Sequence, residues 1–66
     1  MNVTINGAIH ELPSGATVTQ AVQRLTGVRS GVAVAVNGEV VSRGAWDFTP
    51  LAEADRVEVL TAVQGG

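Results

Sequence analysis

The sequence predicts an α+β fold: a mixed sheet of four to five strands with one helix packed across one face. Three features carry this expectation. Two Asn-Gly dipeptides, Asn6-Gly7 and Asn37-Gly38, each sit between short runs rich in β-branched residues. A single segment, from Val18 onward, places apolar residues at helical spacing. A late run, Arg56 to Leu60, alternates charged and apolar side chains.

Val3 and Ile5 alternate with Asn2, Thr4 and Asn6, the period of a strand with one buried face. Asn6-Gly7 suits a two-residue turn that needs positive φ at both central positions. Residues Ala8 to Leu12 then return antiparallel, and Pro13-Ser14-Gly15 ends the hairpin.

Thr17 and Gln20 have the spacing of a capping box, in which cap and third helical residue satisfy each other's backbone N–H groups. Val18, Ala21, Val22 and Leu25 follow at i, i+3, i+4 and i+7, one apolar stripe. The helix is expected over Val18 to Thr26. Gly27 is placed for a left-handed C-terminal cap, with Val28 packing back against the last turn.

From Gly31 to Val36 valine alternates with alanine, so the valine face belongs on the helix and the alanine face is flat. Asn37-Gly38 turns the chain into a short strand, Glu39 to Val41. Residues Ser42 to Asp55 form an irregular connection expected to be anchored by Trp46, Phe48 and Leu51. In the last strand Val57 and Val59 share a face. If that strand lies beside the first, the helix stripe meets Val3, Ile5, Val57 and Val59 together. One helix and a mixed sheet in this order is the β-grasp arrangement.

With 66 residues, the chain has room for one domain. A domain this small buries a limited share of its surface, and with no cysteine it relies on aliphatic packing alone. A formal net charge of −2 and four dispersed basic residues give no footprint for nucleic acid. No apolar run approaches the roughly 20 residues that span a bilayer, and Met1-Asn2-Val3-Thr4 does not open a secretory signal. A cytoplasmic protein, without nucleic-acid or membrane partners, is expected.

Residues 1–60 are expected to form the folded domain and residues 61–66 a flexible tail ending in Gly65-Gly66. A terminal diglycine carboxylate is a chemical handle. It has no side chain to obstruct entry into a narrow pocket, and glycine adopts backbone conformations closed to other residues. Nothing upstream supplies a catalytic set. His10 has no nucleophile or orienting carboxylate evident for it and reads as a strand-surface residue. Asp47, Glu53, Asp55 and Glu58 lack the spacing of a calcium loop and read as surface and turn residues. Arg43 and Arg56 read as surface charge, and Trp46 as cover for the core edge. The chain is expected to be a carrier, with no catalytic or metal-binding residue of its own.

Several runs sharpen this reading. Val-Asn-Gly-Glu-Val-Val at 36–41, Arg-x-x-Trp at 43–46, Asp-Arg-Val-Glu-Val at 55–59 and the Ala-Val-Gln-Gly-Gly ending together resemble the ThiS family, ubiquitin-like sulfur carriers of thiamine biosynthesis. The likeness covers essentially the whole chain. It implies that a ThiF-type adenylyltransferase uses ATP to adenylate the terminal glycine. Sulfur from a persulfide donor then converts the glycyl adenylate to a thiocarboxylate (1-thioglycine), and a ThiG-type thiazole synthase takes the sulfur into the thiazole ring. On this reading Gly66 is the acyl and sulfur-bearing residue, Gly65 keeps the end slender, and Val63 and Gln64 form the stem that partners recognise. No cofactor is resident, and the protein is expected to be a monomer that is a co-substrate rather than an enzyme. Ser42 stands where the family often has proline, and Ala54 where glycine commonly precedes the aspartate. Other readings of the same chain are a molybdopterin-synthase small subunit, a protein-conjugated modifier, and a β-grasp interaction module that is not a carrier.

Overall fold

The computed structural model describes residues 1–27 and 31–61. Strands β1 (Asn2–Ile5) and β2 (Ala8–Glu11) precede helix α1 (Val18–Leu25), followed by β3 (Val32–Val36) and β4 (Glu39–Val41). A 3₁₀ helix (Arg43–Phe48) then leads toward β5 (Arg56–Thr61). The sheet has five strands in the order β2-β1-β5-β3-β4. Strand β5 runs parallel to β1 and antiparallel to β3. The last strand thus lies at the centre, between the two hairpins, and the fold is the ubiquitin-like β-grasp expected from the sequence.

Both Asn-Gly dipeptides form the predicted turns. Asn6 and Asn37 each have φ of 51°, followed by Gly7 at 84° and Gly38 at 87°. Asparagine tolerates the left-handed region better than most residues, and glycine enters it without steric cost. Ile5↔Ala8 and Val36↔Glu39 close the two hairpins.

The capping box forms at Thr17, whose backbone N–H donates to Gln20 Oε1 at 2.8 Å. The helix start is fixed further by residues 49–51: Val18 N–H donates to the Thr49 carbonyl (3.0 Å) and Leu51 N–H to the Ala16 carbonyl (2.8 Å). The opposite end departs from expectation. Thr26 is extended, with φ −154°, and its N–H reaches the Val22 carbonyl at 2.9 Å. Gly27 does not adopt positive φ, so the left-handed cap is absent. Val28 lies outside the described residues.

One core joins these elements. Val18, Ala21 and Val22 from the helix meet Val3 and Ile5 of β1, Val34 of β3, and Val57 and Val59 of β5, all buried. Leu12, Ala16, Trp46 and Leu51 complete it from the connections. The predicted stripe is cut short, because Leu25, the last residue of the helix, is 44% exposed. The loop anchors also need correction. Trp46 is buried and its indole Nε1 donates to the Val41 carbonyl at 3.0 Å. Phe48, two residues later on the 3₁₀ helix, is 82% exposed and anchors nothing. Successive residues of a 3₁₀ turn are about 120° apart, so Trp46 and Phe48 cannot both face the core.

Candidate functional site

The sheet has one covered face and one open face, and the register identifies every open-face residue on β5. Val57 and Val59 point into the core, so Arg56, Glu58 and Leu60 point away. The cross-strand partners extend this into rows. Ile9, Thr4 and Arg56 form one. Glu58, Ala35 and Val40 form the next. Leu60 beside Ala33 forms the last, nearest the carboxyl end of β5.

Charge and apolar character are graded along this face. The row farthest from the end of β5 carries Arg56, the middle row Glu58, and the row beside Thr61 only Leu60 and Ala33. Val40 is 81% and Leu60 73% exposed, large apolar side chains that nothing within the described fold covers. An open concavity of about 540 Å³ runs over Ala33, Ala35, Val40 and Leu60 and is bounded by Arg56 and Glu58. A second, of about 470 Å³, lies around Leu60 and Thr61 where β5 ends, with Arg43 on its rim. Exposed aliphatic residues grouped this way mark an interaction surface more often than isolated ones do.

Strand β5 is held firmly along its length. β3 pairs with it from Val57 through Thr61. β1 pairs with only Arg56 and Val57, because it turns away at Asn6. The gap on that side is filled by a side chain. Val59 N–H donates to Asn6 Oδ1 at 2.8 Å, and Asn6 Nδ2 donates to the Val59 carbonyl at 3.1 Å. Asn37 acts similarly at the other end of the strand: Arg56 N–H donates to Asn37 Oδ1 at 2.9 Å, and Asn37 Nδ2 donates to Asp55 Oδ1 at 3.0 Å.

The residues expected to carry the chemistry, Val63, Gln64, Gly65 and Gly66, lie outside the described residues, as does all of 62–66. Strand β5 extends to Thr61, so that residue belongs to the sheet. Residues singled out for other roles have structural ones. Asp47 accepts from Thr19 Oγ1, Glu53 Oε1 accepts from the Asn2 N–H at 3.0 Å, and Asp55 Oδ2 accepts from the Ala52 N–H at 2.7 Å. His10 is half-buried on β2, and no metal-binding group is formed among the described residues. Among them, too, no helix is long and apolar enough to cross a membrane.

The alanine face of β3 was legible as a flat patch, but Val40 and Leu60 were not picked out with it. The signal was present. Leu60 is an apolar residue at the outward phase of an alternating strand, and Val40 pairs with Ala35 across the Asn37-Gly38 turn.

The family model for the ThiS family matches residues 3–66. A crystal structure of thiamine biosynthesis protein ThiS from Geobacter metallireducens superimposes with a TM-score of 0.78 at 35% identity, covering 100% of both chains. A solution structure of a thiamine biosynthesis protein from the same organism gives a TM-score of 0.79 at 36% identity, over 100% of this chain and 88% of that one. No curated protein matches. A family match running from β1 through the diglycine, on a fold shared end to end, means that this chain belongs to the ThiS family.

Proposed function

We propose that this protein is a sulfur carrier in thiamine biosynthesis, and that its working group is the Gly66 carboxylate. The observation that carries this is the extent of the family match, which includes Gly65 and Gly66. A carboxylate resists nucleophilic attack because its charge is delocalised and oxide is a poor leaving group. An oxygen of Gly66 attacks the α-phosphate of ATP and pyrophosphate leaves, giving a glycyl adenylate. The outer sulfur of a persulfide then attacks the carbonyl carbon, and AMP departs with the electron pair. A thiol cleaves the resulting sulfur–sulfur bond and leaves the thiocarboxylate, whose sulfur passes to thiazole synthase.

None of these steps uses a carrier side chain. A ThiF-type adenylyltransferase supplies the charge stabilisation, and the carrier supplies reach and recognition. Residues 62–66 span at most about 18 Å when fully extended. An enzyme that holds Gly66 in its active site must therefore also lie close to Thr61. The exposed apolar residues of the open face are Ala33 and Leu60 in the row beside Thr61 and Val40 in the next row, and we assign them as the docking face for the activating enzyme. Docking also offsets the ordering of the tail, about 1–2 kcal/mol per residue fixed.

The test is intact mass after incubation with a ThiF-type enzyme, ATP and a sulfur donor. The mass should change by one oxygen-for-sulfur exchange, and deletion of Gly66 should abolish the change. An undiminished exchange in the deletion variant would refute the Gly66 assignment.

A further inference from the structure

The two Asn-Gly turns are chemically vulnerable as well as structurally useful. In this dipeptide the glycine nitrogen is unhindered, because no Cβ shields it. It can attack the asparagine side-chain carbonyl carbon, forming an N–C bond and expelling the side-chain nitrogen as ammonia. Water then opens the cyclic imide to aspartate or isoaspartate. The net change is amide plus water to carboxylic acid plus ammonia, with no oxidant or other reactant.

Attack requires the side chain to leave its hydrogen bonds, and these differ between the turns. Both Asn6 bonds go to the Val59 backbone and are partly buried, at 2.8 and 3.1 Å. Both Asn37 bonds, to Arg56 N–H at 2.9 Å and Asp55 Oδ1 at 3.0 Å, are exposed to solvent. Water competes for the second pair and not freely for the first. The consequences differ too. A carboxylate at position 37 would replace an N–H donor with a second negative group facing Asp55, which already caps the Ala52 N–H. Like charges at that separation oppose return of the side chain to its place.

We infer that Asn37 is a site of spontaneous deamidation in the folded protein, that Asn6 is protected, and that conversion of Asn37 loosens the start of the tail-bearing strand. The inference is independent of the carrier reading.

The experiment ages the intact protein in mildly alkaline buffer and maps conversion by peptide mass spectrometry, with a urea-unfolded sample alongside. In the unfolded chain the two sites should convert at comparable rates. In the folded protein conversion at Asn37 should lead Asn6 several-fold, and Asn37→Asp should unfold at lower urea than the parent. Adding Asp55→Asn to that variant should recover part of the loss. Equal or faster conversion at Asn6, or no conversion at Asn37 while the unfolded sample converts fully, would overturn the proposal. So would an Asn37→Asp midpoint equal to the parent's.

Discussion

The Asn6 side chain and the Val59 backbone hydrogen-bond in both directions, so an amide side chain serves as the missing residue of a β ladder. Strand β1 ends at the hairpin, yet the central strand continues four residues past its last partner there, Val57. Without Asn6, the Val59 N–H and carbonyl on that side would have no protein partner. The same residue also holds φ at 51° to make the turn.

The first prediction separates these two duties. Asn6→Gly keeps the turn and removes the clip, and should cost about 1–2 kcal/mol, the penalty for partly buried backbone groups left unpaired. Asn6→Ala should cost about 1 kcal/mol more, because alanine is strained at positive φ. Urea unfolding midpoints of the two variants test the ranking. Equal midpoints would show that backbone strain is not a separate contribution.

Ala54 occupies the left-handed region with φ of 71°, where glycine fits without strain. Its N–H is engaged by the Asn2 carbonyl at 2.7 Å, so the turn cannot simply relax. Ala54→Gly should stabilise the fold by roughly 0.5–1 kcal/mol, the strain relieved less the entropy glycine adds to the unfolded chain. A melting temperature at or below the parent's would count against strain at this site.

Ser42 has φ of −66°, the value proline imposes. The preceding Val41 is a strand residue, a conformation proline tolerates before it. Ser42→Pro should therefore stabilise by about 0.4–1 kcal/mol by restricting the unfolded chain. Thermal unfolding of the single variant decides it, with destabilisation as the contrary result.

Trp46 is the largest fully buried side chain and ties the 3₁₀ helix to β4 through Val41. Trp46→Ala should cost about 3–5 kcal/mol, much of the stability available to a domain of this size. Phe48→Ala, on the same 3₁₀ helix, should stay within about 0.5 kcal/mol because its ring is exposed. Circular dichroism melts of the pair make the comparison.

Val40 and Leu60 should behave oppositely to Trp46. Val40→Asp and Leu60→Asp should change stability by no more than about 0.5 kcal/mol, since both side chains already face solvent. Each should raise the KM for processing by a ThiF-type enzyme by about tenfold, the effect of losing roughly 1.4 kcal/mol of docking energy. The maximal rate should change little, because neither residue reaches the reacting carbon. An unaltered KM in both variants would remove this face from the docking surface.

Much of this protein follows from the sequence. Binary patterning marked the faces of β1, β3 and β5, and the Asn-Gly pairs placed both hairpins. The Thr17–Gln20 spacing located the helix start, because capping is a local interaction. The diglycine and the family likeness pointed to the proposed function. Tertiary structure decided what depends on contacts between distant residues. Whether Trp46 or Phe48 turns inward depends on the phase of the 3₁₀ helix against the core. Whether Gly27 caps the helix depends on where the chain must go next. That Asn6 completes a ladder with Val59, and that Ala33, Val40 and Leu60 share one uncovered face, depends on a central β5. No local pattern encodes strand order, which is fixed by the long-range packing that brings Val57 and Val59 under the helix.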